Sequence, residues 1–131
     1  MMSWYQLMAD PKSYQDADPN TLVVRLPLKL RSKQKVLLTL AQRLHFPRYF
    51  GKNWDALEEL MRDLNWLEAK RIVLVHEGLP LGAGDGRLIY LQILQSVHEF
   101  WSEAEEPKEW VFIFPKSAGG AIEAAMESLE E

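Results

Sequence analysis

The sequence predicts an α/β fold in which a small three-stranded parallel sheet is layered with helices. Three short apolar runs have the length and composition of strands, namely residues 21–26, 71–76 and 110–114. Between them, apolar residues recur at three- and four-residue steps, as they do in helices. Because strands and helices alternate along the chain, we expect helical crossovers between parallel strands.

The chain is long enough to bury a core in one domain. It has 131 residues, of which 47% are hydrophobic, and includes five Trp and five Phe. We expect an N-terminal extension over residues 1–20, a folded domain over residues 21–115 and a C-terminal tail over residues 116–131. The extension mixes aromatic residues with Asp, Pro and Asn, which is typical of a segment that is only partly ordered.

The first half of the domain contains the first strand, a helix and a loop. Ser32 is placed to cap a helix over residues 33–44. Residues 45–52 form the connecting loop, in which Pro47 stops the helix. We expect Gly51 to supply a backbone conformation there that other residues avoid.

A second helix begins after Asn53, which is placed to cap it. At about 100° per residue, its apolar residues fall on one side and its acids on the other. The inward side holds Leu57, Leu60, Met61 and Leu64, and the outward side holds Asp55, Glu58, Glu59 and Asp63.

Asp55 and Glu59 lie one helical turn apart, where like charges cost an isolated helix roughly a few tenths of a kcal/mol. Two explanations are open. Acids near a helix N-terminus complement the macrodipole, and Arg62 lies one turn after Glu58 to pair with it. Alternatively, a partner uses the carboxylates.

The second half of the domain supplies two strands and the longest helix. Residues 71–76 are a continuous apolar run, typical of a central strand covered on both faces. A glycine-rich loop over residues 78–86 leads into a long helix over residues 85–101. After the third strand, we expect a short helix over residues 121–129, preceded by a double-glycine hinge at 119–120.

Composition excludes several kinds of chemistry. The chain has no Cys, so disulfides, thiol nucleophiles and zinc–thiolate sites are excluded, which fits a reducing compartment. The N-terminus lacks a basic start followed by an apolar run, and no run is long enough to cross a bilayer. We therefore expect a cytoplasmic protein with no membrane partner.

No residue pattern indicates catalysis, a metal or a cofactor. His45, His76 and His98 lack the spacing of a helical metal pair, and scattered structural histidines are the better interpretation. The segment GLPLGAGDG has neither the ending of a P-loop nor the spacing of a dinucleotide fingerprint. A catalytic partnership of His98 and Glu99 with Asp55 has no nucleophile motif beside it. We expect no enzyme and no cofactor.

Charge is unevenly distributed. Residues 19–54 carry eight Lys or Arg and no acid, whereas residues 55–131 carry 16 acids and six bases. The basic residues include Lys29, Arg31, Lys33 and Lys35, with Arg43, Arg48 and Lys52 farther along. They are compatible with RNA contact, but no aromatic-basic recognition motif accompanies them, and a pI of about 5.4 adds repulsion from phosphate. The acidic remainder instead suits a cationic protein, so direct nucleic-acid binding is not expected.

The loop and the acidic helix carry a family resemblance. The run YFGKNWDALEEL over residues 49–60 resembles the central motif of barstar, the intracellular ribonuclease inhibitor. A weaker similarity extends from the stretch near Leu22 to the stretch near Trp110. The resemblance implies the family's compact three-stranded α/β fold, and a basic ribonuclease as the partner of a chain that is monomeric when free.

The resemblance also implies a set of partner-binding residues. Tyr49 and Asn53 would be loop contacts, Asp55 an anchor and Glu59 the counterpart of the family's central aspartate. Glu99, on the long helix, would be a further acidic contact. These carboxylates would occupy the positions where a ribonuclease holds its phosphodiester, because the enzyme's Arg, Lys and His bind either anion.

The sequence departs from the family motif at three positions. Glu59 is one methylene longer than the usual aspartate, Lys52 adds a positive charge, and Glu58 stands where the family has a Trp. The alternative is an interaction or immunity module of the same fold that binds another basic partner. Trp54 is expected to pack against the long helix, and Tyr49 is expected to be more exposed than Phe50.

Overall fold

A computed structural model describes residues 3–48, 50–106 and 108–129. Its sheet consists of β1 (Gln6–Met8), β2 (Thr21–Leu26), β3 (Arg71–His76) and β4 (Glu109–Pro115). The strands lie in the order β1-β4-β3-β2, and all neighbours are parallel. The parallel α/β fold is therefore confirmed, but the predicted number of three strands is wrong.

The helices are α1 (Lys33–Arg43), α2 (Trp54–Asp63), α3 (Asp85–Ser102) and α4 (Gly119–Leu129). Helices α1 and α2 connect β2 to β3, and α3 connects β3 to β4. The crossovers are therefore helical, as the alternation of patterns predicts. None of the described helices is apolar enough over a sufficient length to span a membrane.

The fourth strand, β1, comes from the N-terminal extension and pairs with the free edge of β4. Trp4, just before it, is only 8% exposed and packs edge-on against Phe112 and Phe114, with ring centroids 6.2 Å apart in both pairs. Because β1 has three residues and no β-branched member, its place depends on the burial of Trp4 rather than on strand propensity. The sequence pattern therefore missed it.

The main core lies between the helices and one face of the sheet. Its fully buried side chains include Leu37, Leu40, Leu57, Met61, Ile72, Leu74, Leu94 and Phe112. Burying one such side chain contributes roughly 1.5–3 kcal/mol relative to leaving it exposed. The apolar sides of α1, α2 and α3 therefore determine how these helices lie on the sheet.

The N-terminal extension covers the opposite face of the sheet. This face holds a second buried cluster of Val73, Val75, Val111 and Ile113. Tyr14 packs against the cluster, Arg25 donates a hydrogen bond to the Tyr14 carbonyl, and Arg71 pairs with Asp16. The extension thus shields a valine-rich face from water.

Helix α4 begins at Gly119 and not after a hinge, so the predicted double-glycine hinge is wrong. The Gly119 backbone has an ordinary helical φ of −55°. A Cβ atom there would lie 2.9 Å from Cδ1 of Leu7 in β1. The missing side chain therefore lets α4 approach β1 closely, and provides no flexibility.

Candidate functional site

The acidic helix α2 starts at a well-defined cap. Oδ1 of Asn53 accepts a hydrogen bond from the Ala56 amide at 2.8 Å, which confirms the predicted N-cap. In the loop before it, Phe50 is only 8% exposed, and its ring packs edge-on against that of Phe46 with centroids 5.0 Å apart. The cap and the buried Phe50 together fix the direction of the first turn, which carries Asp55.

The inward side of α2 is anchored as its periodicity predicts. Leu57, Met61 and Leu64 have no exposed surface, and Leu60 is 5% exposed. Trp54 packs towards α3, where its ring centroid lies 6.2 Å from that of Tyr90. The helix is held along its whole length, so it cannot rotate about its axis without exposing these side chains.

The outward side of α2 carries Asp55, Glu59 and Asp63, which we call the acidic row. All three side chains are exposed. Within the described residues, no Lys, Arg or His lies within 4.0 Å of their carboxylates. At 1.5 Å of rise per residue, successive members are about 6 Å apart along the helix axis. The acidic row is therefore a line of carboxylates on a rigid support, without a cationic partner among the described residues.

Glu58 belongs to a different cluster. Its carboxylate lies 3.3 Å from the Arg62 guanidinium, as the one-turn spacing predicts. Arg62 also donates a hydrogen bond to Oγ of Ser96 and lies 5.5 Å from the ring centroid of Phe100, both in α3. The internal pairing proposed for the helix acids therefore applies to Glu58 and not to the acidic row.

A hollow of about 300 Å³ lies between the loop and α2. Phe50, Gly51, Ala56 and Leu60 supply apolar or backbone surface, and the carboxyl-bearing side chains of Glu59 and Asp63 complete the lining. Such a hollow suits the side chain of an Arg or Lys, whose alkyl part packs on apolar surface while its charged end meets carboxylates.

The structure brings only part of the predicted site together. Asn53, Asp55 and Glu59 lie on the loop and α2, in one continuous surface. Glu99 is exposed on α3. The nearby residues of α3 that contact Arg62 of α2 are Ser96 and Phe100. Tyr49 lies outside the described residues.

Asp63 is a member of the site that the sequence reasoning missed. Helix periodicity places it on the outward side of α2, but the motif that carries the family resemblance ends at Leu60 and does not include it. Its position four residues after Glu59 and eight after Asp55 is the signal that identifies it, because these three residues share one helix face.

The loop conformation differs from the prediction by one residue. Lys52, not Gly51, has the positive φ, at 55°. A Cβ atom on Gly51 would lie 3.4 Å from Nδ2 of Asn53 and 3.6 Å from Cβ of Ala56, which are ordinary contacts. The prediction for Gly51 is therefore wrong, and the strained residue is the lysine that directly precedes the cap.

His76 has the structural role expected of a scattered histidine. It is fully buried, with Nδ1 2.9 Å from the Ile113 carbonyl and Nε2 2.7 Å from the Tyr90 hydroxyl. Because a carbonyl only accepts, Nδ1 carries the proton and Nε2 accepts from Tyr90. Burial lowers the pKa of His76 to about 4, despite the hydrogen bond to Ile113.

Across residues 3–48, 50–106 and 108–129, no three His, Asp or Glu side chains are grouped as metal ligands.

One of three comparisons with known proteins gives a match. The family model described as Barstar (barnase inhibitor) matches residues 21–113. The match runs from the start of β2 into β4, and it contains the whole of α2 with the acidic row. No curated protein and no solved structure matches the chain.

Proposed function

Because the chain belongs to the barstar family, we propose that it inhibits a basic ribonuclease by covering the enzyme's cationic cleft with α2 and the preceding loop. The family is described by its inhibition of barnase, a role that requires binding and no chemistry on a substrate. The chain is therefore assigned as an inhibitor and not as an enzyme.

The observation that carries this proposal is the state of the acidic row. Asp55, Glu59 and Asp63 are exposed and have no cationic partner within 4.0 Å in the described part of the chain. Carboxylates that only balanced internal charge would be paired, as Glu58 is with Arg62. The row is free to bind cations of another molecule.

The proposed mechanism is mimicry of the anionic substrate. A ribonuclease must hold a phosphodiester with cationic groups, and the same groups donate charge-assisted hydrogen bonds to carboxylates. The row is fixed before binding, because the opposite side of α2 is buried in the core. A rigid contact surface loses little conformational freedom on association, which favours tight binding.

The other predicted contacts have separate places in this proposal. Asn53 is a loop contact beside Asp55, the first carboxylate of the acidic row. The hollow next to Glu59 receives a cationic side chain of the enzyme. Tyr49 stays a predicted loop contact. Glu99 is a contact at the α3 edge only if the enzyme extends past the Arg62–Phe100 cluster.

Inhibition is tested by titrating the purified chain into barnase-type ribonucleases while RNA hydrolysis is followed. We expect stoichiometric loss of activity for a susceptible enzyme. Asp55→Asn and Glu59→Gln should each weaken inhibition by about 1.5–3 kcal/mol, or roughly 10- to 150-fold, because each replaces a charged hydrogen-bond acceptor by a neutral one. Glu127→Gln, an exposed acid on α4, is the matched control and should inhibit like the unmodified chain.

Unaltered hydrolysis across the whole panel would contradict the proposal. It would favour the alternative, an immunity or interaction module directed at a basic partner that is not a ribonuclease. Equal inhibition by the unmodified chain and by an Asp55→Asn/Glu59→Gln variant would contradict the assignment of the acidic row.

A further inference from the structure

A second charged surface lies beside the acidic row. Five basic residues form it: Lys29, Arg31, Lys33, Lys35 and Lys52, which we call the basic rim. They lie in the loop between β2 and α1, in the first turn of α1, and in the loop before α2. All five are exposed, and none forms an ion pair within 4.0 Å with any described residue.

Two contacts place two members of the basic rim, Lys33 and Lys52, at the start of α2. Nζ of Lys33 lies 5.7 Å from the ring centroid of Trp54, the residue directly before Asp55. Lys52 lines a hollow of about 230 Å³ together with Gln34, Leu37 and Leu38 of α1. The first turns of α1 and α2 are therefore neighbours, and the rim borders the end of the row at Asp55.

The backbone of the basic rim is held in unusual conformations. Lys29 and Lys52 have positive φ values of 67° and 55°, a region that costs a residue with a Cβ atom free energy. Leu30 is only 8% exposed, and its carbonyl accepts a hydrogen bond from the Leu81 amide at 2.7 Å. Both lysines thus occupy strained positions, and the buried contacts of Leu30 hold the loop that contains Lys29 in place.

A partner that docks on α2 meets both signs of charge. At physiological salt, charges interact over about 8 Å, so the cationic and anionic groups of an enzyme docked on the first turn of α2 interact with Lys33 and Lys52 as well as with Asp55. An enzyme with cations all around its cleft is attracted by the acidic row and repelled by the basic rim. An enzyme with an acidic patch beside the cleft is attracted by both.

We propose that the basic rim selects the target: it disfavours ribonucleases that are cationic all around the cleft, and favours one whose cleft is bordered by an acidic patch. This inference rests on the proposed inhibitory function and adds the charge pattern of the partner. Repulsive charges that exclude wrong partners are a general route to specificity.

RNA is a poorer partner for the same surface. The acidic row begins next to the basic rim, so a phosphate backbone extended from the rim along α2 meets Asp55 and Glu59. The chain also carries a net charge of −4, which adds long-range repulsion from phosphate. A protein that itself carries both signs of charge fits this surface better.

The test uses a barnase-type ribonuclease that is cationic all around its cleft as the probe. Association rates are measured by stopped flow at about 0.01 M salt, where charges interact over about 30 Å, and at about 1 M salt, where the range is about 3 Å. We expect Lys33→Glu/Lys52→Glu to associate roughly tenfold faster than the unmodified chain at low salt, and equally fast at high salt. The matched control is Lys70→Glu/Lys116→Glu, which changes the net charge by the same amount on other surfaces. Its association rate at low salt should rise clearly less.

The outcomes separate this inference from the inhibitory function. Lys33→Glu/Lys52→Glu could associate no faster than the unmodified chain or the control, while Asp55→Asn/Glu59→Gln loses binding. This result would disprove the selective role of the basic rim and leave the inhibitory function standing. If neither the unmodified chain nor any variant binds this enzyme or another ribonuclease of the panel, both are disproved. Salt-dependent binding of a labelled single-stranded RNA that Lys33→Glu/Lys52→Glu abolishes would also overturn the inference, because the rim would then be an RNA site.

Discussion

At the scale of single residues, His76 predicts how stability depends on pH. The buried neutral imidazole has a pKa of about 4 in the folded protein, against 6.5 for an unperturbed histidine. As pH falls below about 6.5, the unfolded chain binds a proton that the folded chain refuses. The contribution of His76 to the free energy of unfolding is therefore complete above about pH 6.5 and is lost progressively down to about pH 4.

We expect the free energy of unfolding to be about 2 kcal/mol lower at pH 5 than at pH 7 because of His76. Urea unfolding at the two pH values measures this difference. His76→Gln should reduce this difference, because glutamine does not titrate in this range. An equal pH dependence in His76→Gln and in the unmodified chain would contradict this role.

The loop before α2 gives a second prediction for single residues. Lys52→Gly should raise the free energy of unfolding by about 1 kcal/mol, because glycine adopts the left-handed conformation without a Cβ clash. Gly51→Ala should change it little, since the added methyl group makes only ordinary contacts. Denaturation midpoints compare the two, and the opposite ranking would show that Gly51 is the constrained position after all.

At the scale of elements, the sequence predicts the position of a helix or strand correctly where the element's own residue pattern stabilises it. Helix α2 combines an Asn53 cap with a regular apolar side, and its predicted and observed positions agree. Strand β1 has no such pattern, because the aromatic packing of Trp4 holds it against β4. The predicted start of α4 is two residues late, because the close approach of Gly119 to Leu7 is a tertiary contact that the sequence pattern does not show.

The N-terminal extension should contribute strongly to stability. Deleting residues 1–18 uncovers Val73, Val75, Val111 and Ile113, each worth roughly 1.5–3 kcal/mol when fully buried. A domain of this kind has only about 5–15 kcal/mol of stability in total. We expect a much lower urea midpoint and binding of a hydrophobic dye by the truncated chain.

Trp4→Ala separates the anchor of β1 from the rest of the extension. This change should lower the free energy of unfolding by about 3–5 kcal/mol, as it does for other buried aromatic residues. It should leave the second face of the sheet covered, so that dye binding stays low. An unaltered midpoint in both variants would show that the extension is dispensable for folding.

At the scale of the whole molecule, the sequence showed that charge is uneven but not which charges share a surface. Residues 19–54 are basic and the rest is acidic, yet the fold brings Lys33 beside Trp54 and therefore close to Asp55. Helix periodicity predicts which acids face outward on α2, whereas the choice of Asp55 and Glu59 as contacts is implied by the family resemblance and stays a prediction. The neighbouring basic rim depends on how α1 packs beside α2, which chain order does not specify.

The central claim is that the acidic row takes the place of an anionic substrate, and competition for the enzyme's active site tests it most directly. Binding of the chain to a susceptible barnase-type ribonuclease is measured by calorimetry, with and without a saturating mononucleotide in the active site. We expect the nucleotide to abolish or greatly weaken binding of the chain. Simultaneous binding of both ligands with unaltered affinity would contradict substrate mimicry.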